Sequence, residues 1–87
     1  MNTLEIMDDL VYIEGVLSDI ETIELPWSDL ERVSIGLDWD TAVGRLRRIK
    51  AQALSDDLLK TLAGLKKRIR EQKQKISILH IAYPEMD

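Results

Sequence analysis

The sequence has a single histidine, His80, and no cysteine. A nucleophilic triad needs a base, a nucleophile and an orienting group brought together. No second histidine, cysteine or serine motif stands near His80 to complete one, so a surface or interface position is expected for it. The same composition gives a zinc site no ligand set. Carboxylates come in close pairs at Asp8-Asp9, Asp38/Asp40 and Asp56-Asp57. Glycosidase-type or metal chemistry requires such groups to converge in a cleft, and a helical chain of 87 residues leaves little room for one. Helix capping accounts for the second and third pairs, solvation for the first. No G-x-G-x-x-G or Walker pattern is present, so nucleotide binding has no support. The expectation is a chain with no catalytic, metal or cofactor-binding residues, no cofactor and no small-molecule substrate.

The basic residues suggest a different use. Lys66 to Lys75 holds six bases and one acid. With Arg45, Arg47, Arg48 and Lys50 it can form the electrostatic footprint of a nucleic-acid binder. Arg45, Arg48, Lys67, Arg70 and Lys73 are the candidate face for nucleic acid or an acidic partner. Against nucleic acid stand the net charge of −4 and the lack of an interleaved aromatic to stack on bases. A solvated face, partly neutralised by acids elsewhere in the chain, is the plainer reading.

That neutralisation is suggested by how the charge is distributed. Residues 1–44 hold eleven acids and one base, Arg32; residues 45–87 hold eleven bases and five acids. The small total therefore hides a −10 half and a +6 half, and asymmetry between halves is informative about partners.

The elements that carry these charges read as helices. The apolar set is Leu and Ile with two Trp, two Tyr and no Phe, a composition suited to helix–helix seams. Ile6, Leu10, Ile13, Leu17 and Ile20 recur at alternating spacings of four and three, which puts them on one stripe of a helix over about 4–22, and Met7, Val11 and Val16 are expected to widen it. Asn2 and Glu5 stand at capping-box positions for it. Pro26 pushes Leu25 out of the α region and ends any continuation. Ser28 to Glu31 is a second capping box, for a short helix over about 29–34 that Gly36 can end. Asp38 or Asp40 can cap a third helix over about 39–54. Ser55-Asp56-Asp57 then starts a long helix over about 56–80, its two carboxylates favourable at the positive end of the dipole. Its seam is Leu58, Leu62, Leu65, Ile69, Gln72, Ile76 and Leu79. With neither Gly nor Pro near residue 54, one bent helix over 39–80 stays open beside a break there. Residues 76–83, rich in β-branched side chains, could instead form a strand; 81–87 read as a tail.

The fold class expected is therefore all-α: one domain, 1–87, a small helical bundle or hairpin with a long C-terminal helix, coiled-coil-like seams and a dimeric state. A chain this short buries roughly 60–65% of its unfolded surface, so aliphatic packing or a second copy must complete the core. The flanks say which helices pair. Glu14, Glu21 and Asp9 flank the first seam, while Lys66, Lys73, Arg68 and Lys75 flank the last. The last helix would repel its own copy, so the first helix is expected to pack along it, within one chain or between two.

Trp27, Leu30, Val33, Ile35, Leu37 and Trp39 are many apolar groups for a connector. They read first as a lid over the bundle. The sharper reading is a partner-binding patch at Trp27, Trp39 and Leu37, since Trp is enriched at binding hot spots. Gly15, Gly44 and Gly64, inside expected helices, each cost about 1 kcal/mol relative to Ala. They are either tolerated or mark the close approach of another chain or a phosphate backbone. The absence of cysteine fits a reducing compartment, no apolar run reaches the ~18 residues of a membrane span, and the first residues lack the basic region of a signal peptide. Together these residues read as a cytoplasmic, non-enzymatic protein-interaction module: an adaptor, inhibitor or regulator, dimeric or bound to a protein partner. A nucleic-acid-binding regulator is the alternative.

Overall fold

The computed structural model describes residues 3–50 and 54–79. Four α-helices follow one another: α1 (Thr3–Thr22), α2 (Asp29–Arg48), α3 (Asp56–Glu71) and the short α4 (Lys73–Ile78). No strand occurs among the described residues, so the all-α expectation holds. Tyr12 of α1 lies beside Asp38 of α2, and Asp9 beside Arg45 and Arg48, so α1 and α2 run antiparallel. Arg68 of α3 reaches Glu14 and Glu21, and Lys75 of α4 reaches the carbonyls at 20–23, so α3 and α4 run parallel to α1. The chain is an up-down-up bundle 39 Å long and 20 Å across.

The first stripe builds the core as its spacing requires. Ile6, Leu10, Ile13, Leu17 and Ile20 are all buried, with Val16 beside them. They meet Ile35, Trp39, Ala42, Val43 and Leu46 of α2, and Leu62, Leu65, Ile69 and Ile76 of the last two helices. Each such side chain contributes about 1.5–3 kcal/mol on full burial, and these groups supply most of the folding energy.

The second helix differs from expectation. It runs without interruption from Asp29 to Arg48, where two pieces over 29–34 and 39–54 were expected. Gly36 is helical and buried, with no glycine of positive φ among the described residues. Asp38 and Asp40 sit in mid-helix, so capping does not explain them. The reason is packing. Ile35, Trp39, Ala42, Val43 and Leu46 form one buried stripe only if the helix continues through Gly36, and their burial outweighs the ~1 kcal/mol that a helical glycine costs. The Ser28 capping box is present in full: its hydroxyl accepts from Glu31 N–H at 3.1 Å, while Glu31 accepts from Ser28 N–H at 3.0 Å.

A break precedes Ser55 as expected, but α2 ends at Arg48 and not near Leu54, and residues 51–53 lie outside the described ones. Ile49 caps the end of α2, and the Ser55 hydroxyl accepts from Leu58 N–H to open α3. The long last helix is interrupted once, at Gln72, a polar residue inside the apolar seam. Its φ of −100° and ψ of 17° leave the helical range, and its N–H is shared among the carbonyls of 68–70. α4 resumes at once, since Ile76 N–H donates to the Gln72 carbonyl. The chain is helical through Ile78, with Leu79 as its cap, which removes the strand reading up to that residue. The capping role of Asn2, His80, the end of the strand alternative and the tail lie outside the described residues.

Candidate interaction surfaces

Asp9 is the most enclosed polar group among the described residues, with no exposed surface. It stands seven positions before Val16, on the same side of the α1 stripe, and this places it in the α1–α2 seam. Arg48 grips it with both prongs: Nε donates to Oδ2 at 2.9 Å and Nη2 to Oδ1 at 2.6 Å. Arg45 Nη1 donates to the same Oδ1 at 3.3 Å and to Asp8 at 3.4 Å. The Arg45 guanidinium also lies 4.3 Å from the centre of the Tyr12 ring, within cation–π range. The bond to Asp9 raises the pKa of Arg48 and so locks its charge. Solvation therefore does not explain the Asp8-Asp9 pair; half of it is a buried ionic hub.

A second node joins α1 to α3. Arg68 donates to Glu21 at 3.0 Å and 2.5 Å and to Glu14 at 3.3 Å. The Arg68 hydrogen bond pulls the Glu21 carboxyl below its ordinary value, against the opposing effect of burial, and Arg68 is raised in turn. Beyond it, the Lys75 ammonium donates to the carbonyls of Ile20, Glu21 and Ile23 at 2.9–3.2 Å. α1 has no base in its own last turn. Lys75 supplies the cation that the negative end of its dipole favours. The expected pairing of the acidic first helix with the basic last helix thus occurs within one chain, through one flank. The other flank, Asp9, turns to α2 instead.

These nodes divide the candidate residues. Arg45 and Arg48 are held on Asp8 and Asp9 of α1, whereas Lys67 and Arg70 stand on α3 and Lys73 on α4. Lys67 and Arg70 are exposed on α3 together with Lys60, and these three form no ion pair among the described residues. Lys73, also exposed, starts α4.

The connector candidates divide as well. Trp39 is wholly buried at the centre of the core, which takes it off any surface. Its position on the continuous α2 stripe explains this, and its indole N–H has no partner among the described residues. Trp27 is half-buried against the core, its N–H donating to the Ile23 carbonyl at 3.4 Å, as the lid reading requires. Leu37 points outward, 67% exposed, in line with Leu30 at 80% and Val33 at 57%.

The unbroken α2 makes that line visible. Leu30, Val33 and Leu37 are spaced by three and four, so they share one outward stripe, which continues through Thr41 to Gly44. α1 carries a similar outward stripe in Leu4, Met7 and Val11, all exposed, continuing through Gly15. Met7 and Val11, expected to widen the core stripe of α1, instead point outward, and only Val16 widens it; in α2 the division into two shorter helices hid the outward line.

A shallow groove of about 400 Å³ runs beside the α1 stripe, lined by Val11, Tyr12, Gly15, Val16, Asp19 and Asp38. Its two carboxylates have neither a histidine nor a cation among its lining residues. No group of three or more His, Cys, Asp or Glu able to hold a metal occurs among the described residues. No described helix is long and apolar enough to cross a membrane. Comparison with known proteins returns no matching family model, curated protein or solved structure.

Proposed function

We propose that this chain is a non-enzymatic protein-interaction module that presents the outward helix stripes of α1 and α2 to other chains, a second copy among them. The observation that carries the reading is the pair of exposed apolar lines, Leu4-Met7-Val11 and Leu30-Val33-Leu37. Scattered surface leucines are ordinary, whereas several on one helix at spacings of three and four are how a helix engages a groove or another helix. None of these six residues belongs to the buried core. The cysteine-free composition supports a reducing, cytoplasmic setting.

Beside the α1 stripe Asp8 and Glu14 are already held by Arg45 and Arg68, and the exposed Asp19 favours a basic group of another protein there. The test is affinity capture from cell extract, comparing the natural chain with a Leu4→Gln, Met7→Gln, Val11→Gln variant of unchanged helicity. A protein retained by the first and lost by the second is expected. Identical captured sets would overturn the reading.

One observation favours a second function. Lys60, Lys67 and Arg70 form an exposed basic line on α3, which suits a nucleic-acid backbone. A gel shift that weakens with salt and disappears on charge reversal at Lys67 and Arg70 would support it. No shift at low salt would remove it.

A further inference from the structure

We infer that the outward face of α2 pairs with the same face of a second copy, antiparallel, with Leu37 at the two-fold axis. The inference deepens the self-association part of the interaction reading and rests on it.

Charge separates the two stripes. The α1 stripe is flanked by Asp19 and by Asp8 and Glu14, which Arg45 and Arg68 already hold, so a self-pair of α1 gains no complementary charge. α2 differs along its length: Asp29 and Glu31 open it beside Arg32, Asp38 and Asp40 lie at its middle, and its last turn holds Arg45 and Arg48, already bound to Asp9, and Arg47, which is left for a partner. A parallel self-pair would set like over like. An antiparallel pair sets the acidic part of each copy over the basic end of the other.

The register follows from the stripe. With Leu37 facing its own copy, Leu30 lies over the second copy's Gly44 and Val33 over its Thr41, so large side chains meet small ones. A Cβ on Gly44 would meet nothing within 4 Å. No internal packing therefore calls for glycine there, although it costs about 1 kcal/mol in a helix. A leucine arriving from a second chain gives it a use. The flank agrees. Asp29 and Arg47 are 18 positions apart, about five turns at 3.6 residues each, so they project on the same side of α2. An antiparallel pair brings like flanks together, and in this register Arg47 of each copy lies on the same flank as Asp29 of the other, offset by two residues or about 3 Å along the axis, within reach of its long side chain. The Asp29 side chain is 98% exposed and bonded only loosely to Arg32, at 3.5 Å. Arg47 is exposed and has no ion pair among the described residues. Asp40, on the same flank, lies three residues from the axis, which keeps the two Asp40 carboxylates about 9 Å apart.

The experiment is sedimentation equilibrium on the full chain from micromolar to millimolar concentration, with circular dichroism on every variant. The natural chain should dimerise. Asp29→Arg alone and Arg47→Asp alone should each weaken the dimer about tenfold, because each turns two attractive pairs into repulsive ones. An equimolar mixture of the two variants restores both pairs and should return to within about threefold of the natural affinity. Gly44→Gln should raise the melting temperature of the dilute monomer yet weaken the dimer, opposite signs that a purely structural glycine would not give. A natural chain that stays monomeric overturns the pairing. So does a dimer indifferent to the single charge changes, or a mixture no tighter than its components. If the natural chain is monomeric but the α1 variant still loses a captured protein, the pairing has failed and the interaction reading stands.

Discussion

The carboxylate of Asp9 is sealed from solvent, while the Arg48 side chain that holds it is 56% exposed. The two ends of this ion pair are therefore unequal. An arginine left alone can turn to water, whereas a buried carboxylate left alone cannot, and removing the partner of a buried charge costs about 3–5 kcal/mol. Arg45→Ala with Arg48→Ala should thus destabilise the bundle by about 3 kcal/mol or more. Asp9→Asn, which leaves two cations able to reach solvent, should cost about 1–2 kcal/mol. Urea denaturation of the two variants checks the order, and the reverse order would mean that Asp9 is hydrated.

Trp39 offers a second asymmetry. Its ring fills the core while its N–H is unpartnered. Trp39→Ala should cost about 3–5 kcal/mol through the cavity it leaves. Trp39→Phe keeps an aromatic ring and removes the unpaired donor, so its cost should stay below about 1.5 kcal/mol. Thermal melts compare them, with the fluorescence of the remaining Trp27 reporting the folded state.

Acid should loosen the α1–α3 node. The Arg68 hydrogen bond depresses Glu21, and the Ser28 backbone N–H depresses Glu31, both from an ordinary value of 4.5. A carboxyl depressed in the folded state contributes stability that is complete above its unfolded value and is lost as pH falls through the folded one. Stability should therefore decline below pH 4.5, and Glu21→Gln should make that decline shallower. Denaturant midpoints from pH 7 to pH 3 measure it, and an unchanged slope in the variant would remove Glu21 from the cause.

Gly64 is helical and exposed, and a Cβ there would meet nothing within 4 Å. Gly64→Ala should stabilise the chain by up to about 1 kcal/mol, read as a higher melting temperature.

Much of the fold was legible in the sequence because helical periodicity is local. The Ile6–Ile20 stripe, the Ser28 and Ser55 caps and the acidic–basic match of α1 with the last helix all appear as expected. What could not be read depends on contacts distant in sequence. Gly36 looks like a terminator until Ile35 and Trp39 are seen to share one buried face. Asp9 looks like a solvated acid until α2 brings two arginines to it. Gln72 marks an interruption that no glycine or proline announces. The surface candidates suffered in the same way: Trp39 was placed on a patch because α2 was divided, and Leu37 gains its outward neighbours only once α2 is whole.

The most direct test of the outward α2 stripe as a self-association surface is the mass of the full chain in solution, with and without Leu37→Glu. This change places a charge on an exposed position and leaves the core intact. The expected result is a natural chain that moves from 10.0 kDa toward twice that mass as concentration rises, and a variant of unchanged helicity that remains at the monomer mass. Equal association of the two chains, or none in either, would contradict it.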